Sequence, residues 1–156
     1  MSVAETSNPA AGMSAPAAPS FRTQVLVRFS DCDPAGIVFY PRYLEMFNNL
    51  VEDWCCEGLK FSFDDIVIKS GWGLPTVHLE ADFVKVSRLG EVLTASLFVR
   101  ALGISSIQAD ILLSGPEGED RVRGKVVLVL MDRKTVKARP IPDEMREQIA
   151  KFVISD

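Results

Sequence analysis

One long amphipathic helix stands in a chain that otherwise reads as strands, and this imbalance limits what the chain can fold into. Apolar residues recur at Tyr43, Leu44, Phe47, Leu50, Val51, Trp54 and Cys55, with Glu45, Asn48, Asn49, Glu52 and Asp53 between them. That spacing is helical, and Gly58 supplies a stop. Pro41 suits the first helical position, because its missing N–H would have been unsatisfied there anyway. The apolar stripe is wide for a surface helix, so other elements are expected to wrap it.

Around this helix the pattern is that of strands. Val25, Val27 and Phe29 alternate with Gln24, Leu26 and Arg28 over residues 23–30. Val77, Leu79, Ala81 and Phe83 alternate with His78, Glu80 and Asp82, and long apolar runs follow over 91–102, 105–113 and 121–131. Gly90, Gly103 and the Gly115-Pro116-Glu117-Gly118 turn separate them, and such short connections suit antiparallel neighbours. A short helix is expected over 62–69, with Ser62 as its cap and Asp65 three residues on, and a last helix over 142–153.

The order strand, helix, four strands, helix predicts an α+β domain with a five-stranded antiparallel sheet. One helix cannot cover both faces, so the simplest solution curls the sheet around it and leaves the outer face for a partner subunit. Leu93, Ala95, Leu97 and Val99 oppose apolar Val92 and Phe98, a further sign of oligomerisation.

Residues 1–20 are rich in Ala, Ser and Pro, with Glu5 as their charged residue, and are expected to be a disordered tail before a single domain over 21–156. Met13 is a possible alternative start. The tail lacks the basic start and apolar middle of an export signal, so the expected compartment is the cytoplasm. No apolar run approaches the roughly 20 residues that cross a bilayer. A net charge of −4 argues against general attraction to nucleic acid. Three cysteines, Cys32, Cys55 and Cys56, and one histidine fit free thiols rather than a disulfide framework or a zinc site, and no metal or cofactor is expected.

The stretch Asp31-Cys32-Asp33-Pro34-Ala35-Gly36-Ile37-Val38-Phe39-Tyr40-Pro41-Arg42-Tyr43 sets two carboxylates on a Pro/Gly loop just before the helix. Exposed N–H groups at a helix start attract negative charge, including an oxyanion that forms during reaction. This loop, with Leu74-Pro75-Thr76-Val77-His78 and Ile141-Pro142, resembles the hot-dog-fold acyl-CoA thioesterases, in particular the 4-hydroxybenzoyl-CoA type. The resemblance spans about residues 21–145. It implies the hot-dog fold, an acyl-CoA substrate, a tetramer of two hot-dog dimers and a ligand lying across a subunit interface.

It also implies roles. The second Asp of the Asp-x-Asp pair, Asp33, is the catalytic carboxylate, as nucleophile or as general base. Tyr40, before the helix-starting proline, offers its backbone N–H to the thioester oxygen. A neighbouring branch with short or general acyl-CoA substrates carries His where this chain has Pro41, which favours the hydroxybenzoyl type. The family's Arg/Lys cluster before the fourth strand has no counterpart in Leu102-Gly103-Ile104-Ser105-Ser106.

Beside this, the residues carry their own readings. Asp31 is expected to hold the loop through local hydrogen bonds. Cys32 would need a base to act as nucleophile, and His78 is the one histidine. Phe39, Phe61 and Phe63 are candidates for the acyl pocket, since aromatic walls suit a planar aroyl group. Lys134, Lys137 and Arg139, in the basic stretch after the last strand, are candidates for the CoA phosphates, with Lys85 and Arg88 at another strand end next in order. The expected function is hydrolysis of an aroyl-CoA to the free acid and CoA. A broad short- or medium-chain acyl-CoA thioesterase and a non-catalytic acyl-CoA-binding domain are the alternatives.

Overall fold

The structure, a computed structural model, describes residues 20–155. Residues 1–19 of the Ala/Ser/Pro-rich stretch, with Met13, lie outside the described residues. The main sheet is built from β1 (Phe21–Leu26), β3 (Thr76–Phe83), β4 (Val92–Leu102), β5 (Ser106–Ser114) and β6 (Asp120–Val129). Its order is β1-β4-β5-β6-β3 and every pairing is antiparallel. This is the hot-dog fold, with helix α1 (Tyr40–Asp53) packed on one face of the sheet.

The expected faces explain the packing. Leu93, Ala95, Leu97 and Val99 of β4, and Ile107, Ala109, Ile111 and Leu113 of β5, are buried with Val122, Val126 and Leu128 of β6. They form one core with Tyr43, Met46, Phe47, Leu50 and Val51 of α1. At the centre, Gly124 pairs with Ile111 on one side and Ala81 on the other. The Phe47 ring lies so close over Gly124 that a Cβ there would overlap it. A small residue is needed at that crossing for the helix to lie flat on the sheet.

Several boundaries differ from expectation, each for a local reason. The first strand ends at Leu26, and Phe29 turns outward, 85% exposed, in a 3-10 turn over Phe29–Asp31. Alternation alone could not see that turn. Gly58 is not the helix stop: α1 continues as a π turn over Trp54–Leu59 and ends at Lys60, whose φ of 64° is left-handed. The short helix is a π turn over Asp64–Lys69. Before it, the Ser62 hydroxyl accepts the Asp65 N–H while the Asp65 carboxylate accepts the Ser62 N–H, as the sequence signature implied.

A second, three-stranded sheet was not foreseen: β2 (Trp72–Gly73), β7 (Met131–Asp132) and β8 (Lys137–Ala138). Two-residue strands are too short to show alternation. The last helix, α2 (Asp143–Ala150), buries Met145 and Ile149.

The outer face of the sheet is more polar than the sequence reading implied. It carries ion pairs between Arg100 and Asp110 and between Arg123 and Asp120 and a hydrogen bond between His78 and Glu80, and Val92 is 43% exposed. Exposed apolar residues gather instead along the edge strand β3 and the loop after it, at Val77, Leu79, Phe83, Val84, Val86 and Leu89.

Gly124→Ala is expected to destabilise the fold by about 1–3 kcal/mol, the usual cost of forcing extra volume into a packed core. Urea titration of the variant against the parent measures this. Unchanged stability would mean that the Phe47 ring moves aside freely.

Candidate active site

The loop before α1 is clamped at its two ends. Cys32 and Val38 form an antiparallel bridge, the Phe39 N–H donates to the Asp31 carbonyl at 2.9 Å, and the Asp33 N–H donates to the Ile37 carbonyl at 3.0 Å. Between them the chain reverses at Gly36, whose φ of 80° favours glycine, and the Gly36 N–H donates to the Asp33 carbonyl. The loop therefore holds residue 33 at its entrance and residue 40 just past its exit.

Both acids of the pair make local bonds. The Asp31 carboxylate accepts the Arg28 N–H at 2.8 Å and so closes the 3-10 turn, the holding role expected of it. Asp33 Oδ1 accepts the Ala35 N–H at 2.8 Å, an Asx turn that fixes the carboxylate. Asp33 Oδ2 has no partner among the described residues, and the side chain is half-buried. One oxygen thus positions the group and the other is free to react.

Helix α1 opens without a side-chain cap on Phe39, and Pro41 lies in its first turn. The Arg42 N–H turns back to the Phe39 carbonyl at 2.8 Å. No described residue accepts the Tyr40 N–H. An unpaired donor at the positive end of a helix dipole can take a carbonyl oxygen that gains negative charge.

Aromatic rings stand beside this helix start. Phe39 and Tyr40 meet edge to face with centroids 5.7 Å apart, and Tyr40 meets Phe83 in the same way at 6.0 Å. Phe83 lies 5.8 Å from Tyr43, which is buried. Phe39, Tyr40 and Phe83 are each about half exposed, an open aromatic surface at the mouth of the loop. The sequence reading included Phe39 but not Phe83 or Tyr43. The available signal was Phe83 closing an alternating strand that runs towards the loop.

Phe61 and Phe63 are not part of this cluster. They follow α1, whose 14 residues span about 21 Å, and they pack against the core at the other end of the sheet. The basic stretch is also at that end. Lys134 and Lys137 are exposed on the β7–β8 hairpin, where Asp132 Oδ1 accepts the Lys134 and Thr135 N–H groups. The Arg139 guanidinium lies 4.0 Å over the Trp72 ring. Within one chain, then, the structure brings together Asp33, Phe39 and Tyr40, and leaves Phe61, Phe63, Lys134, Lys137 and Arg139 apart from them.

The thiol alternative has no geometry. His78 Nε2 is 2.9 Å from Glu80, on the outer sheet face, at the β3 end away from Cys32. Burial, followed by the charges of Asp31 and Asp33, pushes the Cys32 thiol above its ordinary value. That shift lowers the thiolate fraction on which nucleophilic attack depends. No cluster of three or more His, Cys, Asp or Glu able to hold a metal occurs among the described residues. Nor is any of their helices long and apolar enough to cross a membrane.

Comparison with known proteins agrees with this architecture. The family model described as the thioesterase-like superfamily matches residues 27–149. A 1,4-dihydroxy-2-naphthoyl-CoA hydrolase of Prochlorococcus marinus is 27% identical over 135 residues, covering 79% of this chain and 84% of that protein. The crystal structure of a 1,4-dihydroxy-2-naphthoyl-CoA thioesterase from Synechocystis superposes with a TM-score of 0.77. It is 23% identical, and the match covers 84% of this chain and 96% of that one. A gentisyl-coenzyme A thioesterase structure matches at 25% identity and a TM-score of 0.73, covering 83% of this chain and 99% of that one.

Alkylation separates the three thiols. Exposed Cys56 is expected to label first with iodoacetamide near neutral pH and Cys32 slowly. Cys55, buried and pushed up to about 12, should label only on unfolding. Peptide mass spectrometry over time reads the order. Cys32 labelling fastest would restore it as a nucleophile.

Proposed function

The chain belongs to the thioesterase-like superfamily, and we propose that it hydrolyses an aroyl-CoA thioester to the free acid and CoA, with Asp33 as the catalytic carboxylate. The observation that carries this reading is the clamped loop. It holds a carboxylate oxygen without a partner at one end and an unpaired Tyr40 N–H at the other, beside three half-exposed aromatic rings.

The reaction follows from these groups. The acyl ring stacks against Phe39, Tyr40 and Phe83, and the thioester carbonyl points at the Tyr40 N–H. Asp33 then attacks the carbonyl carbon, giving a mixed anhydride that water hydrolyses, or it deprotonates an attacking water. CoA leaves as the thiol. In either case the carbonyl oxygen gains charge beside the helix start, where a single donor contributes about 2.7–4 kcal/mol of barrier reduction.

The ring is proposed to be hydroxylated. The 4-hydroxybenzoyl group suggested by the loop and the 1,4-dihydroxy-2-naphthoyl group named for the relatives share a planar hydroxylated ring bearing the thioester. The fused ring is the better supported of the two, since the hydrolase of Prochlorococcus marinus and the Synechocystis structure both carry that name.

The CoA half calls for a second copy of the chain. Strand β3 is at the edge of the sheet, paired on one side with β6, and Val77, Leu79 and Phe83 along it are exposed. An edge strand of this kind is a template for pairing. Two β3 strands joined antiparallel set the Thr76 end of one against the Phe83 end of the other. That brings the Lys134, Lys137 and Arg139 hairpin of a second copy towards the Asp33 loop of the first. The proposed unit is therefore at least a dimer with two shared sites, and the tetramer is two such dimers.

Thiol release across a panel of acyl-CoAs tests the activity. Hydroxylated aroyl-CoAs are expected to be hydrolysed fastest, and Asp33→Asn to lower kcat about 10²-fold or more while CoA ester binding persists. Faster release from aliphatic esters would overturn the substrate class, and no release from any ester would leave an acyl-CoA-binding domain. Light scattering at micromolar concentration tests the shared site. A mass of at least two chains is expected, and a single-chain mass contradicts it.

A further inference from the structure

The Asp33 loop buries Val38 in the core and is also bonded to a segment outside the main sheet. Its returning limb pairs with the connection between β3 and β4: Val38 N–H donates to the Ser87 carbonyl at 2.9 Å and Leu89 N–H to the Gly36 carbonyl at 3.1 Å. Ile37 and Arg88 form an antiparallel bridge there. The geometry of Asp33 and Tyr40 therefore depends on what fixes residues 84–91.

That segment is organised around one buried cation. Arg121, at the start of β6, has a side chain only 5% exposed. Its Nη1 donates to the Val86 carbonyl at 3.0 Å, the Ser87 hydroxyl at 3.1 Å and Glu91 Oε1 at 2.8 Å. Its Nη2 donates to Glu91 Oε2 at 3.0 Å and Glu119 Oε2 at 2.7 Å, and Nε reaches Glu119 Oε2 at 3.1 Å. The Arg121 carbonyl in turn accepts the Val84 and Lys85 N–H groups. Ser87 is fully buried in this contact and is the same residue whose carbonyl receives Val38.

We propose that Arg121 is a positioning residue for the reaction: by fixing residues 86–91 it sets the strip of backbone on which the Asp33 loop is hung. This rests on the reading of Asp33 as the catalytic carboxylate. The chemistry suits the task. A guanidinium presents five donors in a rigid planar fork, so one side chain can hold three chain segments in register, which an ammonium cannot do. The one cation is shared by two carboxylates. The guanidinium holds the Glu91 carboxyl down at about 2 and lowers that of Glu119, so both remain anions. Lys85 and Arg88, with Glu117, line the polar cleft of about 310 Å³ over this cluster.

The test uses Arg121→Met and Arg121→Lys in the full chain, with Ile149→Ala as a variant of lowered stability in α2. Steady-state kinetics with the best aroyl-CoA should show kcat down about a hundredfold in Arg121→Met, the usual cost of misplacing a reacting group by about 1 Å. KM should change less than kcat, within about tenfold, since the contacts proposed for the CoA half lie on the β7–β8 hairpin and are untouched. Arg121→Lys should fall in the same sense, and it decides the matter where the Met variant does not fold.

Hydrogen exchange gives an arm independent of activity. The Val38 and Leu89 amides should exchange at least about tenfold faster in the folded Arg121 variant, with β4 and β5 unchanged. Parent-level kcat in a folded Arg121 variant, an equal kcat loss in Ile149→Ala, or unaltered Val38 and Leu89 exchange would each overturn the proposal. If the parent releases no thiol from any ester, the catalytic reading fails, and the exchange arm still decides whether Arg121 holds the loop.

Discussion

The structure depends on how closely α1 approaches the sheet at the crossing of Phe47 and Gly124. A side chain at position 124 would overlap the Phe47 ring and force it to shift within the core shared with Leu50, Val51, Leu97 and Ile111. Ala81 on the neighbouring strand continues the shallow strip along which the ring lies. Because α1 is held there, its two ends are assigned. Tyr40 stands beside Phe83 at one end of β3, and Trp54–Leu59 leads the chain to the other end, where β2, β7 and β8 form their small sheet. The candidate groups are divided the same way, with the Asp33 loop at the first end and the basic hairpin at the second.

The proposed site draws on both ends. The Asp33 carboxylate, the Tyr40 N–H and the Phe39, Tyr40 and Phe83 rings gather at the loop, with Arg88 bridged to Ile37 beside them, whereas Lys134, Lys137 and Arg139 lie beyond the far end of α1. The exposed edge of β3 runs between the two ends. An antiparallel strand pair exchanges ends, so the proposed dimer through that edge would bring the two ends together without moving any element of the chain. The loop at the first end is restrained. Asp33 uses one oxygen to fix itself and keeps one free, and Cys32 between the two acids is held as a neutral thiol by burial and their charges.

Much of this was legible in the chain because the elements that matter are long. Leu93 to Val99 and Ile107 to Leu113 alternate over enough residues to give both strand and face, and the α1 stripe from Tyr43 to Val51 lies where the spacing put it. The Ser62–Asp65 cap was readable because its partners are three residues apart. What was missed depends on distant partners or on very short elements. Nothing local marks Arg121 as the side chain bonded to residues 86–91 from 30 or more positions away. Phe61 and Phe63, expected to close the pocket from the short helix, pack against the core beyond the end of α1 and stand apart from Asp33 within one chain.

The central claim is that the thioester carbonyl is held between the Asp33 carboxylate and the Tyr40 N–H. A crystal structure of Asp33→Asn with an aroyl-CoA bound tests it most directly. The account predicts the carbonyl oxygen at about 3 Å from the Tyr40 nitrogen and the reacting carbon about 3–3.5 Å from the residue 33 side chain. The aroyl ring should lie against Phe39 and Phe83. A carbonyl found away from the α1 start, with the Tyr40 N–H still unpaired and the ring elsewhere, would contradict it.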